Sequence, residues 1–258
     1  MNPSDKQWAV LGPLIPEPPR REDGRGRPWR GSREALDGIL WVLRTGAPWM
    51  DLLPQYPPYQ TRHRRFQQWV RSGVLDDVLQ ALARDLEERG KIDLSECFID
   101  GTFVVAKKGA NCVGKTKRGK CTKIMLVAGP SSLPLAVHVT SASPHEITLV
   151  GNTLEARFTV STPQRLIGDK AYHSDPLDEA LQTQGIYMIS PHRANRRKPK
   201  TQGGRKLRRY KRRWKVERLI GWLHNYRRVL VRYERHTCNF LGLVKLACAC
   251  ILLRAFMR

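Results

Sequence analysis

Apolar residues recur every three or four positions through the first part of the chain, and this spacing predicts a series of short amphipathic helices. Ser4 is placed to cap a helix through Leu11. Ser32 is placed to cap a second, to Arg44, with Leu36, Ile39, Leu40 and Leu43 on one face and Gly46 and Pro48 as stop signals. Thr61 would cap a third, carrying Arg62, Arg64, Arg65, Phe66, Trp69 and Arg71 and ending at Gly73. Leu75, Val78, Leu79, Leu82 and Leu86 define a fourth, which stops at Gly90. Between the first two, residues 13–31 carry Pro13, Pro16, Pro18, Pro19 and the run REDGRGRPWRG, an extended basic arm.

After Gly90 the period changes. Residues 97–105, 123–128 and 135–140 are short apolar or alternating runs separated by turn residues, which predicts three strands. Ser143, Pro144 and Glu146 supply a cap, a first-turn proline and a capping-box acid for a helix through about Ala156. Residues 165–168 make a fourth strand, Asp175 and Pro176 open a helix ending at Gly185, and residues 186–190 make a fifth strand. Leu207, Tyr210, Trp214, Leu219, Ile220, Leu223, Tyr226 and Leu230 keep helical spacing, so residues 205–230 read as one long amphipathic helix. The apolar run 240–253 contains Lys245, is too short to span a bilayer and reads as a buried C-terminal helix. The resulting class is α/β, a catalytic-type domain with a mixed sheet whose element order is that of the ribonuclease H-like fold, preceded by a small all-α domain. The expected division is 1–90 and 91–258.

Charge narrows the choice of partner. The net charge is +23 and the isoelectric point about 10.4, which points to a polyanion. Residues 193–235 hold 18 Lys and Arg against Glu217 and Glu234, so a net +16 is concentrated there. Several short helices with a basic one near the middle suit a helix-turn-helix-like DNA-binding domain, with Arg62, Arg64 and Arg65 as candidate contacts. A plain helical bundle fits the same pattern. The arm 13–31 reads equally as a linker or as a strap along DNA phosphates. Residues 107–120, KKGANCVGKTKRGK, lack the spacing of a phosphate-cradling loop and read as a basic hairpin offering Lys107, Lys108, Lys115, Lys117, Arg118 and Lys120 to phosphates. The six cysteines make no CxxC pair and no zinc ligand set, and the N-terminus lacks signal-peptide character, so reduced thiols in a cytoplasmic protein are expected.

Three acids stand apart in this basic chain. Asp100 lies inside the first predicted strand, where burial costs several kcal/mol unless a cation compensates. Asp169 closes the fourth strand, and Glu217 is nearly alone among cations on the long helix. Tyr210 and Arg213 share its helical face. In the expected fold the three acids converge, and hard oxygen ligands of this kind suit Mg²⁺, with Mn²⁺ as substitute, for phosphodiester chemistry. Each acid also has a plain reading: Asp100 and Asp169 as turn-amide acceptors and Glu217 as a salt-bridge partner. Glu146, Asp175 and Asp178 read as capping or first-turn acids, and His145 and His173 as exposed loop or cap residues.

With these residues in view, the chain resembles a DDE-class insertion-sequence transposase of the insertion sequence five family. The resemblance rests on ILWVLRTGAPWMDLLPQYPPYQTRHRRFQQWVRSG in the N-terminal part. In the catalytic part it rests on FIDGTFVVAKKG, VGKTKRGK, ASPHEITLV, RLIGDKAYHSDPLD, ISPHRANRR and RRYKRRWKVERLIGWL. It implies that Asp100, Asp169 and Glu217 are the catalytic metal ligands, and that Tyr210 and Arg213 position DNA near the scissile phosphate. Arg209, Arg212 and Lys215 would neutralise phosphates beside them. The implied activity is Mg²⁺-dependent cleavage at terminal inverted repeats and joining of 3′ ends to target DNA. The implied setting is double-stranded DNA in a prokaryotic cytoplasm, with at least a dimer on DNA. The chain departs from the family pattern at His224, Cys121, His173 and Gly203, where a basic residue, a Gly and two acids are expected. A DNA-binding protein that has lost activity, and a nuclease without strand transfer, keep the same charge pattern.

Overall fold

A computed structural model describes residues 3–18, 23, 29–51 and 53–257. Much of the basic arm, residues 19–22 and 24–28, lies outside them. Helix α1 (Asp5–Leu11) begins at a capping box in which the Ser4 side chain accepts from the Gln7 amide and the Gln7 side chain accepts from the Ser4 amide. Helix α2 (Ser32–Thr45) starts one residue earlier than the cap reading required. Gly31 is its N-cap, and the Ser32 hydroxyl instead donates to the Pro16 carbonyl and accepts from Arg65. Gly46, in the left-handed region at φ 74°, ends it as expected. Pro58 rather than Thr61 precedes α3 (Tyr59–Arg71), and α4 (Val74–Glu88) follows after Gly73.

Among the described residues the sheet has seven strands: β1 (Cys97–Ala106), β2 (Gly114–Thr116), β3 (Gly119–Ala128), β4 (Pro134–Ser141), β5 (Arg165–Ile167), β6 (Tyr187–Ile189) and β7 (Val231–Arg232). The first three long strands run antiparallel, and β5, β6 and β7 join parallel. Strands β2 and β7 have no counterpart in the periodicity, because three- and two-residue strands carry too few positions to show a period of two. One edge of β1 is shared: β5 pairs with its first two residues and β7 with its last two. The middle of β1 is therefore open on that side.

The predicted capping-box helix after Glu146 is replaced by a 3₁₀ turn, Glu146–Leu149, with His145 as N-cap, followed by α5 (Val150–Glu155). Helix α6 (Asp175–Gln182) is capped by Ser174. The single long basic helix is also overturned. Residues 204–230 form α7 (Gly204–Leu207), a 3₁₀ stretch Arg208–Arg212, α8 (Trp214–His224) and α9 (Arg227–Leu230). Arg208–Arg212 holds four cations in five positions, and repulsion among them removes the side-chain support a regular helix gains from i,i+4 pairs.

Helix α10 (Thr237–Phe256) closes the core. At 20 residues it is longer than the apolar run suggested, and by length and composition it is able to cross a membrane. Two-thirds of it is buried inside the protein instead, against α4 and the sheet, with Lys245 paired to Asp76 at its rim. A Cβ at Gly242 would sit 2.5 Å from Cγ2 of Val70 and 3.1 Å from Cζ of Phe66, so α10 and α3 pack at nearly backbone distance. Gly242→Ala is expected to cost about 1–3 kcal/mol through overpacking. Thermal melting checks this, and an unchanged midpoint would show that the helices separate freely.

Candidate active site

The parallel pairing of β1 with β5 sets Phe98 opposite Ile167. Asp100 and Asp169 each lie two residues beyond that last pair, so the two carboxylates leave adjacent strands at the same height, at the open stretch of β1. Strand spacing of roughly 5 Å makes them neighbours. Two glycines make room. A Cβ on Gly168 would lie 2.6 Å from the Tyr172 ring, and one on Gly101 would lie 3.0 Å from Oε1 of Glu146.

Asp169 N-caps the 3₁₀ turn Lys170–Tyr172, its Oδ1 accepting from the Ala171 amide at 2.8 Å. The plain reading of this residue is thus observed, and it also fixes the carboxylate in place. Asp100 accepts from its neighbour's amide through Oδ1 (Gly101 N, 2.9 Å) and from Nη1 of Arg213 through Oδ2 (2.9 Å). Burial pushes its carboxyl up to about 6; Arg213 and the Gly101 amide oppose the rise, and Glu146 and Asp169 add to it.

Glu217 stands in the first turn of α8 and is half exposed. It reaches Asp100 only through Arg213, whose Nη2 donates to Glu217 Oε1 at 2.8 Å. The expected direct convergence of three acids is therefore not what the side chains do. Among the described residues, no three acidic, histidine or cysteine side chains are gathered to hold a metal ion. A guanidinium stands where two of the carboxylates share positive charge. The donor chemistry nevertheless fits a divalent cation: Asp100 and Glu217 already share one cation, and Asp100 is still short of positive charge with Arg213 beside it.

The candidate DNA contacts divide by exposure. Lys107, Lys108, Lys115, Lys117, Arg118 and Lys120 are all exposed along the β1–β3 hairpins, with Lys107 over the Tyr233 ring. Arg64 is exposed, but Arg62 and Arg65 are buried at 2% and 4%. Arg65 donates to Ser32 Oγ and the Arg30 carbonyl, and Arg62 packs by Gly38 and Tyr56, so both serve the helical region's packing, not phosphate. Arg209 and Arg212 both pair with Glu96, Arg212 at 2.6 Å. Lys215 lies 5.6 Å from the Phe98 ring centre, and the half-buried Tyr210 lies 6.0 Å from the Arg213 guanidinium.

Two sequence readings change here. His173 is buried, not an exposed loop residue: its Nε2 lies 2.8 Å from His192 Nδ1 and 2.8 Å from Arg196 Nη1, and Arg196 in turn pairs with Asp175. Glu146 is not a capping acid but sits against Gly101 beside Asp100. A signal for it exists in retrospect, since it is an acid directly after a β-strand in a chain where acids are few. His224 is half-buried, and burial lowers its pKa, so it carries little charge near neutrality.

Residues 92–252 match the family model described as "Transposase DDE domain", and residues 4–79 match "Putative transposase of IS4/5 family (DUF4096)". The chain is 36% identical over 115 residues to an insertion element IS402 uncharacterized 16.2 kDa protein of Burkholderia cepacia, covering 43% of this chain and 78% of that one. It is 29% identical over 153 residues to a putative transposase for insertion sequence element IS402 from the same organism, covering 56% of this chain and 68% of that one. Among solved structures it shares its fold with piggyBac transposase, seen in a synaptic complex with hairpin DNA. That likeness has a TM-score of 0.53 at 12% identity, over 98% of this chain and 72% of that one. The helical region, the mixed ribonuclease H-like sheet and the family matches agree, and the chain belongs to the DDE transposases of the IS4/5 family.

Proposed function

We propose that this protein cleaves DNA at the terminal inverted repeats of its insertion element and joins the 3′ ends to target DNA, using Asp100, Asp169 and Glu217 to hold divalent cations. The observation that carries this reading is the register that sets Asp100 and Asp169 side by side at the open stretch of β1, with Glu217 tied to Asp100 through Arg213. Bound Mg²⁺, or Mn²⁺ in its place, would polarise the phosphodiester and stabilise the departing oxygen. Arg213 and Tyr210 contact the phosphate chain beside the acids. The exposed lysines and arginine of the 107–120 hairpin, with Lys215 and Arg64, neutralise backbone phosphates without reading sequence.

The helical part, 1–90, recognises the element's ends, and 91–258 performs the chemistry. Two ends must be held together, so the active form is at least a dimer on DNA, acting on the bacterial chromosome in the cytoplasm. The test is a gel assay of purified protein with labelled terminal-repeat DNA and a target plasmid, in Mg²⁺ or EDTA. Metal-dependent end cleavage with joined product is expected, and Glu217→Ala is expected to lose cleavage while binding DNA nearly as well. Cleavage without joining would indicate a nuclease; binding without cleavage, in Mn²⁺ as well, would indicate a copy that has lost activity.

A further inference from the structure

Backbone pairing stops just short of Asp169. Strands β5 and β6 pair from Arg165 with Tyr187 to Ile167 with Ile189. Among the described residues, the last backbone bond between the two segments is the Gly168 amide donating to the Ile189 carbonyl at 3.1 Å. Asp169 and the 3₁₀ turn Lys170–Tyr172 therefore lie outside the sheet. A turn of three residues leaves its final carbonyls to donors from elsewhere.

Side chains from the segment after β6 take over where the backbone bonds end. Arg193 donates from Nε to the Lys170 carbonyl at 3.3 Å and from Nη2 to the Ala171 carbonyl at 3.0 Å. Asp169 holds the other end of the same turn, its Oδ1 accepting from the Ala171 amide at 2.8 Å. Ala171 is thus gripped on both sides, by the carboxylate on its N–H and by the guanidinium on its C=O. The neighbours of Arg193 seat it there. His192 Nδ1 lies 2.8 Å from His173 Nε2, and Arg196 Nη1 reaches the same nitrogen at 2.8 Å and Asp175 Oδ1 at 2.7 Å. An arginine only donates, so His173 Nε2 is the acceptor and its imidazole is neutral in this arrangement. The Arg196 amide also bonds the Arg193 carbonyl at 3.1 Å, closing a tight turn with Arg193 at its first position. The plain reading of Arg193 is one more phosphate contact in a basic stretch. Yet Arg193 is half-buried with two of its nitrogens engaged by one turn, whereas the nearby Arg197 and Lys200 are exposed.

We propose that Arg193 is a positioning residue for Asp169: it clamps the turn whose amide holds the Asp169 carboxylate, and the His192–His173–Arg196 contacts keep it in place. The proposal rests on the reading of Asp169 as a catalytic carboxylate given above.

The test compares variants of the full-length protein by two measurements. Hydrogen exchange of the metal-free protein, followed by mass spectrometry, reads residues 168–174. Arg193→Ala is expected to speed exchange there about tenfold or more, with other segments and the melting midpoint as in the wild type. Single-turnover cleavage of terminal-repeat DNA, at saturating protein, is expected to slow about tenfold or more with the DNA dissociation constant unchanged. Arg193→Lys, with one ammonium for two carbonyls, is expected to recover part of both losses. His173→Leu removes the acceptor for Arg196 without touching Arg193, and is expected to shift both readings the same way by a smaller factor. Wild-type exchange at 168–174 in Arg193→Ala overturns the proposal. So does a weaker DNA affinity with an unchanged rate at saturation, which makes Arg193 a phosphate contact. In either case an inactive Asp169→Asn leaves the catalytic reading standing. If the wild type cuts no DNA, or Asp169→Asn cuts as well as it does, the catalytic reading falls and the proposal with it.

Discussion

Asp100→Asn is expected to abolish strand cleavage, by roughly a thousandfold or more, and at the same time to make the metal-free protein more stable at pH 8. Both effects have one cause. Asp100 is held in the centre of the sheet domain with its side chain only 16% exposed, and burial raises its carboxyl from 3.8 to about 6 in spite of Arg213. In the unfolded chain the group loses its proton near 3.8, and in the folded chain only near 6. Between those values the folded state binds the extra proton, so stability falls as pH rises through the window. Above about 6 the full cost of the buried charge is present. At about 1.4 kcal/mol per pH unit, the cost is on the order of 1–3 kcal/mol. Asn carries no charge to desolvate and keeps the shape. Thermal melts in EDTA at pH 5 and pH 8 check this: the variant's advantage should be larger at pH 8. A variant less stable than the wild type at pH 8 would mean that the pair with Arg213 is net stabilising. With Mg²⁺ or Mn²⁺ the order should reverse, because ligand binding to the folded state stabilises the wild type alone.

Arg232→Met is expected to cost about 3–5 kcal/mol, the largest stability effect among these predictions. Arg232 is fully buried, and its guanidinium donates to the Glu234 and Arg235 carbonyls, Thr122 Oγ1 at 2.7 Å, Asn111 Oδ1 at 3.0 Å and Thr237 Oγ1 at 3.1 Å. These partners belong to β3, the loop after β1, the segment after β7 and the start of α10. One side chain therefore pins the C-terminal helix to the sheet. Methionine fills much of the volume but withdraws the guanidinium from all five acceptors, of which Asn111 Oδ1 keeps the Thr237 amide and hydroxyl as donors. Urea denaturation followed by circular dichroism measures the loss. A change below about 1 kcal/mol would show that water replaces the guanidinium without penalty.

The positions of Asp100 and Asp169 were readable because strand-forming residues run up to each of them and a glycine stands next to each, so the local signal carries the placement. The relation of Glu217 to the pair was only half readable. Helical spacing put Arg213 and Glu217 on one face, but that Arg213 would reach across to Asp100 depends on how α8 packs on β1. The break of the basic segment into four short helical pieces was missed because its apolar positions keep helical spacing across the break, and periodicity alone does not register mutual repulsion of cations. Arg62 and Arg65 show the same limit. Arginines on a basic helix look like a DNA face until their neighbours are known, and here Ser32, Arg30 and Tyr56 surround them.

By itself the sequence determined the helical N-terminal region, the long strands, the buried C-terminal helix and the concentrated positive charge, and it singled out Asp100, Asp169 and Glu217 as candidates. All of these are encoded in residue type and spacing along a few consecutive turns or strands. Only the tertiary structure decided that Glu146 rests against Gly101, that the Tyr172 ring packs on Gly168, and that Arg213 bridges two carboxylates. The Arg213–Asp100 pair joins residues 113 positions apart in the chain, and Glu146 and Gly101 are separated by the whole β2–β4 segment. Such contacts are set by strand register and helix docking, and no local pattern carries them.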